Sequence, residues 1–373
     1  MSSARPFFSF FPQFTTDPLN DAAWSPGFTD WDLVRALPDT QRRAFTPARG
    51  MYDPTAPDYL SALERELGAL SPDAGLAVYH YFFDGRHVLQ GFEQQLLAQR
   101  SRLPFFICWA NETWSKRWVG RPNDIIVAQR HELDRTVIER HATYLARLFE
   151  LEGYQRHAGR PLLLIYNPQA SPTLPRAIAL YREAFAALGH RPFFGACLSY
   201  PQPAEHITPY DFACEFEPRF FFNSGTQAGA ARLAARLKLA FPGLFEWLGA
   251  QRDSLRRRAG QREFPYARYL DLLVRGALEP ALRQSAGDRP LMRSTFFSWN
   301  NTPRYRDRST IVSHAGVTPA AISDAVGSMR SDAGLPLFVN SWNEWSEGAA
   351  LEPGVETGTA LRTAFLQALG LRA

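Results

Sequence analysis

The sequence predicts an α/β protein, a single (β/α)8 TIM barrel domain over residues 1–373, with a helical insertion over 218–290 between strands six and seven. Three observations carry this expectation. Eight apolar runs of strand length recur along the chain, and most are followed by a stretch of helical periodicity. Eight such alternations suit a closed parallel barrel better than an open sheet. Polar side chains gather just after the apolar runs, at the strand ends where a barrel carries its site.

The elements follow in order. Phe7–Phe11 is the first strand and ends at Pro12-Gln13. A Pro-rich loop through Trp24, Phe28 and Trp31 leads to a helix over 58–70. Leu76–Phe83 is the second strand, and residues 90–100 are helical. Pro104–Trp109 is the third strand, followed by a long helix over 132–152. Pro161–Tyr166 is the fourth strand, with a helix over 174–188. Pro192–Ser199 and Phe212–Phe216 are the fifth and sixth strands. A long helical stretch is expected over 228–284, then Leu291–Trp299 as the seventh strand and a helix over 318–332. Leu335–Asn340 is the eighth strand, and a helix over 357–370 closes the chain.

Composition narrows the function. Hydrophobic content of 45% and charge of 21% are those of a globular protein. The net charge of +4 is mild and spread along the chain, so no nucleic-acid partner is expected. The cluster around Arg256-Arg257-Arg258 reads as a solvated helix face. No apolar run is long enough for an integral membrane segment. The N-terminal stretch lacks a signal-peptide cleavage pattern. Cys108, Cys197 and Cys214 each lie in an apolar run without a C-x-x-C spacing, so they read as reduced core thiols, and a cytoplasmic location is expected. No phosphate-binding loop, dinucleotide fingerprint or metal-ligand spacing occurs. Hence no cofactor and no metal is expected. The oligomeric state is unknown from sequence.

The richest stretch is Asn340–Pro353, NSWNEWSEGAALEP. It places Glu344, Glu347 and Glu352 among Trp342 and Trp345, beside Asn343. In a helical turn Glu344 and Glu347 share one face. Glycosidic-bond cleavage needs one group to protonate the leaving oxygen and another to handle the developing cation, and indole faces stack on sugars. Acidic residues also favour helix starts, which is the plainer reading of the pair. Elsewhere, CWANETW places Trp109, Asn111, Glu112 and Trp114 after the third strand, where Glu112 could instead pair with Arg117. VYHYFFDG supplies Tyr81 and Asp84 after the second strand, with His80 open to reading as a core residue. Tyr166 ends the fourth strand, and Asn300 and Asn301 in WNNTPR suit either hydroxyl recognition or turn chemistry. Catalysis is therefore expected from Glu344 and Glu347. Tyr81, Asp84, Trp109, Asn111, Glu112, Trp114, Tyr166, Asn300, Asn301, Trp342, Asn343, Trp345 and Glu352 are expected to bind an oligo- or polysaccharide.

Together, FFPQF (Phe10–Phe14), ND…W…GFTDW (Asn20–Trp31), YHYFFDG, CWANETW, NNTPR and WNEWSEGAALEP resemble the WbsX-like proteins of bacterial polysaccharide clusters. Those are related to family 99 of the glycoside hydrolases, whose fold is a (β/α)8 barrel. The resemblance implies that Glu344 acts as base on a sugar 2-hydroxyl. It implies that Glu347 is general acid and then base, with an anhydro-sugar intermediate and retention. Four positions depart from the family pattern: Thr15, Val119, Asn300 and Ala350. Members are commonly described as glycosyltransferases of O-antigen synthesis, so a donor-dependent transferase stays open. So does a non-catalytic glycan-binding role.

Overall fold

The computed structural model describes residues 5–116, 121–131, 133–224, 260–356 and 359–372. Eight parallel strands form the barrel: β1 Pro6–Phe10, β2 Gly75–Phe83, β3 Phe105–Trp109, β4 Arg160–Ile165, β5 Phe193–Leu198, β6 Phe212–Glu215, β7 Leu291–Met292 continued as Ser294–Phe296, and β8 Leu337–Asn340. Their hydrogen-bonded order runs from the first part of β7 through β6, β5, β4, β3, β2, β1 and β8 to the second part of β7. The barrel therefore closes on β7. Leu291 and Met292 pair with Ala213 and Cys214 on one side. Ser294–Phe296 pair with Phe338–Asn340 on the other.

Runs such as FFICW in β3 and LLLI in β4 form strands because both faces are covered: one by the barrel interior, the other by helices. The helices Tyr59–Leu70, Gly91–Ala98, Arg135–Phe149, Leu174–Ala187, Pro319–Gly327 and Ala360–Ala368 lie within the stretches predicted helical. Asp134 caps the Arg135–Phe149 helix by accepting hydrogen bonds from the amides of Thr136 and Val137.

Two departures from expectation matter. Of the long helical stretch expected over 228–284, residues 228–259 lie outside the described residues, as does the Arg256–Arg258 cluster. The rest begins with the strand Arg262–Pro265, paired with Thr310–Ser313, and continues as the helices Tyr266–Val274 and Glu279–Ala286. A hairpin not foreseen from sequence, Trp114–Lys116 with Arg121–Val127, rises after β3. Its Trp114 and Ile126 face the cavity described below. Arg117 and Val119 fall outside the described residues.

His80 belongs to the core. It lies on β2 between Tyr79 and Tyr81, which both line the cavity, so strand alternation turns it outward. There it joins a buried chain of hydrogen bonds. Its Nδ1 meets Glu93 at 2.9 Å, its Nε2 meets His141 at 2.8 Å, and His141 meets the Tyr181 hydroxyl at 2.7 Å. A buried polar group is tolerated when its partners are complete, and this chain supplies them between sheet and helices. The three cysteines are buried and unbridged. Among the described residues no helix is long and apolar enough to cross a membrane.

Candidate active site

The loop after β8 builds the site. Asn343 fixes its start by imitating a backbone partner. Its side-chain oxygen accepts from the Phe11 amide at 2.8 Å, and its amide group donates to the Phe11 carbonyl at 2.9 Å. This stitches the loop to the end of β1. The turn that follows, Trp345–Glu347, is a 3-10 turn rather than the α-helical turn expected. Glu344 precedes the turn with ψ of 71°, outside the helical range, and it shares a side with Glu347 because both line the cavity and bond to Arg304. Gly348 then turns with φ of 58°, and a Cβ there would lie 2.7 Å from the Asn300 carbonyl oxygen. Glycine is required on both counts. The Asn300 amide donates to the Glu347 carbonyl at 2.8 Å, which ties the loop after β7 to this turn.

Three carboxylates converge on one guanidinium. Arg304 donates through Nη1 to Glu347 at 2.6 Å, and through Nη2 to Asp30 at 2.8 Å and Glu344 at 3.2 Å. Ser346 Oγ bridges Asp30 at 2.8 Å and Glu344 at 2.6 Å. Gln13 donates to Glu344 at 3.0 Å and accepts from the Tyr81 hydroxyl at 3.0 Å. Glu344 is the deeper acid at 1% exposed, and Glu347 the more open at 9%.

Burial pushes the Glu344 carboxyl up to about 8. Arg304 opposes that shift, whereas Glu347 and Asp30 add to it. Burial disfavours the charge on Arg304, but Glu344, Glu347 and Asp30 outweigh it and hold the guanidinium charged. Burial thus raises the proton affinity of Glu344 beside a cation held charged by its acid partners. That arrangement suits proton transfer between two neighbouring carboxyls and a ligand. Among the described residues no group of histidines, cysteines and acids is arranged to hold a metal.

A cavity of about 480 Å³ opens above the cluster at the C-terminal ends of the strands. Glu344, Glu347, Tyr81, Glu112, Trp114 and Tyr166 line it, as the sequence suggested. The other expected binding residues do not line it. Asn111 is buried and bridges two loops, donating to the Asn167 carbonyl at 2.8 Å. Trp109 faces the helices and donates to the Phe82 carbonyl at 3.2 Å. Asp84 accepts from the Arg130 amide at 2.8 Å. Asn300 and Asn301 serve turns: Asn300 accepts from the Thr302 hydroxyl at 2.6 Å, and Asn301 from the Thr310 amide at 2.7 Å. Trp342 packs on Phe8 inside the barrel core. Trp345 sits in a second apolar cluster with Phe14, Trp31 and Phe45. Its indole donates at 2.9 Å to Glu352, which also accepts from Tyr52 at 2.6 Å and so supports the loop from behind. Asn343 is the loop anchor already described.

Sequence reasoning missed Arg304, Asp30, Arg219 and the stacked rings of Trp24 and Phe28 as site residues. Asp30 and Arg304 stand in GFTDW and NNTPR, segments noticed for other reasons. An isolated Asp or Arg in a loop gives no local signal of convergence. Thr15, Asn300 and Ala350 do not line the cavity. Thr15 donates to Asp53 at 3.0 Å, and Ala350 packs in the second cluster.

A family model described as Glycosyltransferase WbsX matches residues 7–369. Two curated relatives from strains of Xanthomonas campestris pv. campestris, both named Uncharacterized protein WxcX, are 31% identical over 380 residues. The match takes in 96% of this chain and 49% of each relative, so the chain spans about half their length. A solved structure named Glycoside hydrolase-like protein aligns with a TM-score of 0.55 at 12% identity, over 99% of this chain and 93% of that one. At that identity the likeness speaks for the fold.

Proposed function

Because this chain belongs to the WbsX glycosyltransferase family, we propose that its cavity makes or breaks glycosidic bonds in bacterial surface-polysaccharide metabolism, with Glu344 and Glu347 as the reacting pair. The observation that carries this reading is the pair itself, bridged by Arg304 and opening on an aromatic-walled cavity at the C-terminal end of the barrel.

In the proposed reaction Glu344 takes the proton of a sugar 2-hydroxyl, whose oxygen closes on the anomeric carbon. Glu347 gives its proton to the departing glycosidic oxygen. An incoming hydroxyl then opens the anhydro-sugar, losing its proton to Glu347, while Glu344 returns a proton to the 2-oxygen. Two inversions give net retention. Burial makes Glu344 a stronger base than a solvated carboxylate, at the cost of requiring it to ionise first. Trp114, Tyr81 and Tyr166 offer faces and hydroxyls to the saccharide. The described departures from the family pattern lie off the cavity, which favours catalysis over glycan binding alone.

A donor-dependent transferase uses the same residues with a sugar as acceptor in place of water. An NMR time course with bacterial surface oligosaccharides, with and without nucleotide sugars, separates the two. New reducing ends without donor indicate hydrolysis, and extension only with donor indicates transfer. Turnover in neither arm contradicts the proposal. The kcat/KM profile is expected to rise through pH about 8 as Glu344 ionises. A profile that falls there instead assigns Glu344 as the acid.

A further inference from the structure

Two arginines line the cavity, in opposite circumstances. Arg304 is committed to protein acids: its two terminal nitrogens serve Asp30, Glu344 and Glu347. Arg219 makes no hydrogen bond or ion pair among the described residues. It follows β6 and Phe216 and is held on aromatic faces, its guanidinium 5.5 Å from the Tyr166 ring centroid and 5.9 Å from that of Phe216. Burial works against its charge, but Tyr166, Glu112 and Glu347 outweigh that and keep it a cation. Glu112 and Glu347 line the same cavity, yet neither forms an ion pair with it. The ring contacts restrain the guanidinium while leaving its N–H fork without an acceptor among the described residues.

A half-buried guanidinium with no acceptor carries an unmet desolvation cost. Sugar hydroxyls could accept from it singly. Its planar fork matches a carboxylate or phosphate through two parallel hydrogen bonds, and such charge-assisted pairs are about twice as strong as neutral ones. We propose that Arg219 is the docking point for an anionic oxygen group, carboxylate or phosphate, carried into the cavity by an acidic saccharide or by a sugar-nucleotide donor. This rests on reading the cavity as a saccharide site and adds the class of ligand.

Ligand-observed NMR titration of the full chain tests it, with D-glucuronate against D-glucose and uridine diphosphate against uridine. Wild type is expected to prefer at least one anion over its neutral counterpart by roughly tenfold, shrinking with added salt. Preference for glucuronate points to an acidic glycan, and preference for the diphosphate points to a donor. Either supports the subsite. In Arg219→Gln the preference is expected to vanish. In Arg219→Lys, which keeps the charge and loses the fork, part of it should survive. Matching melting temperatures show that the variants fold, and if Arg219→Gln does not fold, a reduced preference in Arg219→Lys carries the test. Equal binding of anion and neutral in wild type overturns the proposal, as does a preference that survives in Arg219→Gln. An anion preference that persists while Glu347→Gln turns over normally leaves the subsite standing and removes the proposed mechanism.

Discussion

Among the described residues two carboxylate pairs lie at the ends of barrel strands, and one of them faces the cavity. Glu344 and Glu347 follow β8 and gather on Arg304. Glu215 and Glu217 end and follow β6, and Glu215 pairs with Arg293 at 2.8 Å. Glu217, like Glu344, is pushed well above the ordinary carboxylate range by burial, with Glu215 adding to it. A raised proton affinity does not separate Glu217 from Glu344. Orientation does. Phe216 lines the cavity, so alternation sends its two neighbours to the other face of the chain. There Glu215 also accepts from the Ser294 amide at 3.0 Å, and Glu217 from the Phe221 amide at 2.9 Å, both acids at 0% exposed. The lesson is that a perturbed buried carboxyl marks a site only where a ligand can reach it.

The comparison can be broken by substitution. The largest stability effect is expected from Arg304→Met, which strands Asp30, Glu344 and Glu347 without their cation. Breaking a buried ion pair costs roughly 3–5 kcal/mol, and equilibrium denaturation at pH 8 measures it. Part of the loss should return at acid pH, where the stranded acids take up protons. Glu215→Ala is expected to cost about 3 kcal/mol by removing the Arg293 partner, while turnover stays within a few-fold. A collapse of turnover in a folded Glu215→Ala protein would erase the distinction between the pairs.

A smaller effect sharpens the comparison through pH. The folded-state pKa of Glu344 is about 8, above its ordinary value of 4.5. The folded protein therefore binds this proton more tightly than the unfolded chain. Its contribution to stability is full below about 4.5 and is lost as pH rises towards 8. Glu352, raised by burial to about 7, acts in the same sense. Unfolding midpoints measured across that window are expected to fall, and Glu344→Gln should flatten the slope. The smallest effect is expected from Trp345→Phe. It removes one indole hydrogen bond to Glu352 at a cost of about 1 kcal/mol, with the melting temperature as readout and turnover little changed.

The barrel was legible because each strand announces itself by a buried apolar run bounded by turn residues, a signal local to the chain. The interruption of β7 at Arg293 was not legible. It follows from partners distant in sequence: Glu215, Glu279 and Ser331. The pair Glu344 and Glu347 was legible as a dense local motif. Arg304 and Asp30 were not, since in sequence Arg304 lies 40 residues from Glu344 and 274 from Asp30. The asparagines misled as ligands for a related reason. Strand ends need side chains that cap turns and bridge loops, and the amides of Asn111, Asn300 and Asn343 do that work.

The central claim is that chemistry belongs to the pair on Arg304. It is tested most directly by turnover of a surface oligosaccharide, followed by NMR, for wild type and Glu347→Gln side by side. Loss of roughly 10²–10⁴-fold with an unchanged melting temperature is the predicted result. Wild-type turnover in Glu347→Gln would contradict it and move the search for the reacting groups elsewhere in the cavity.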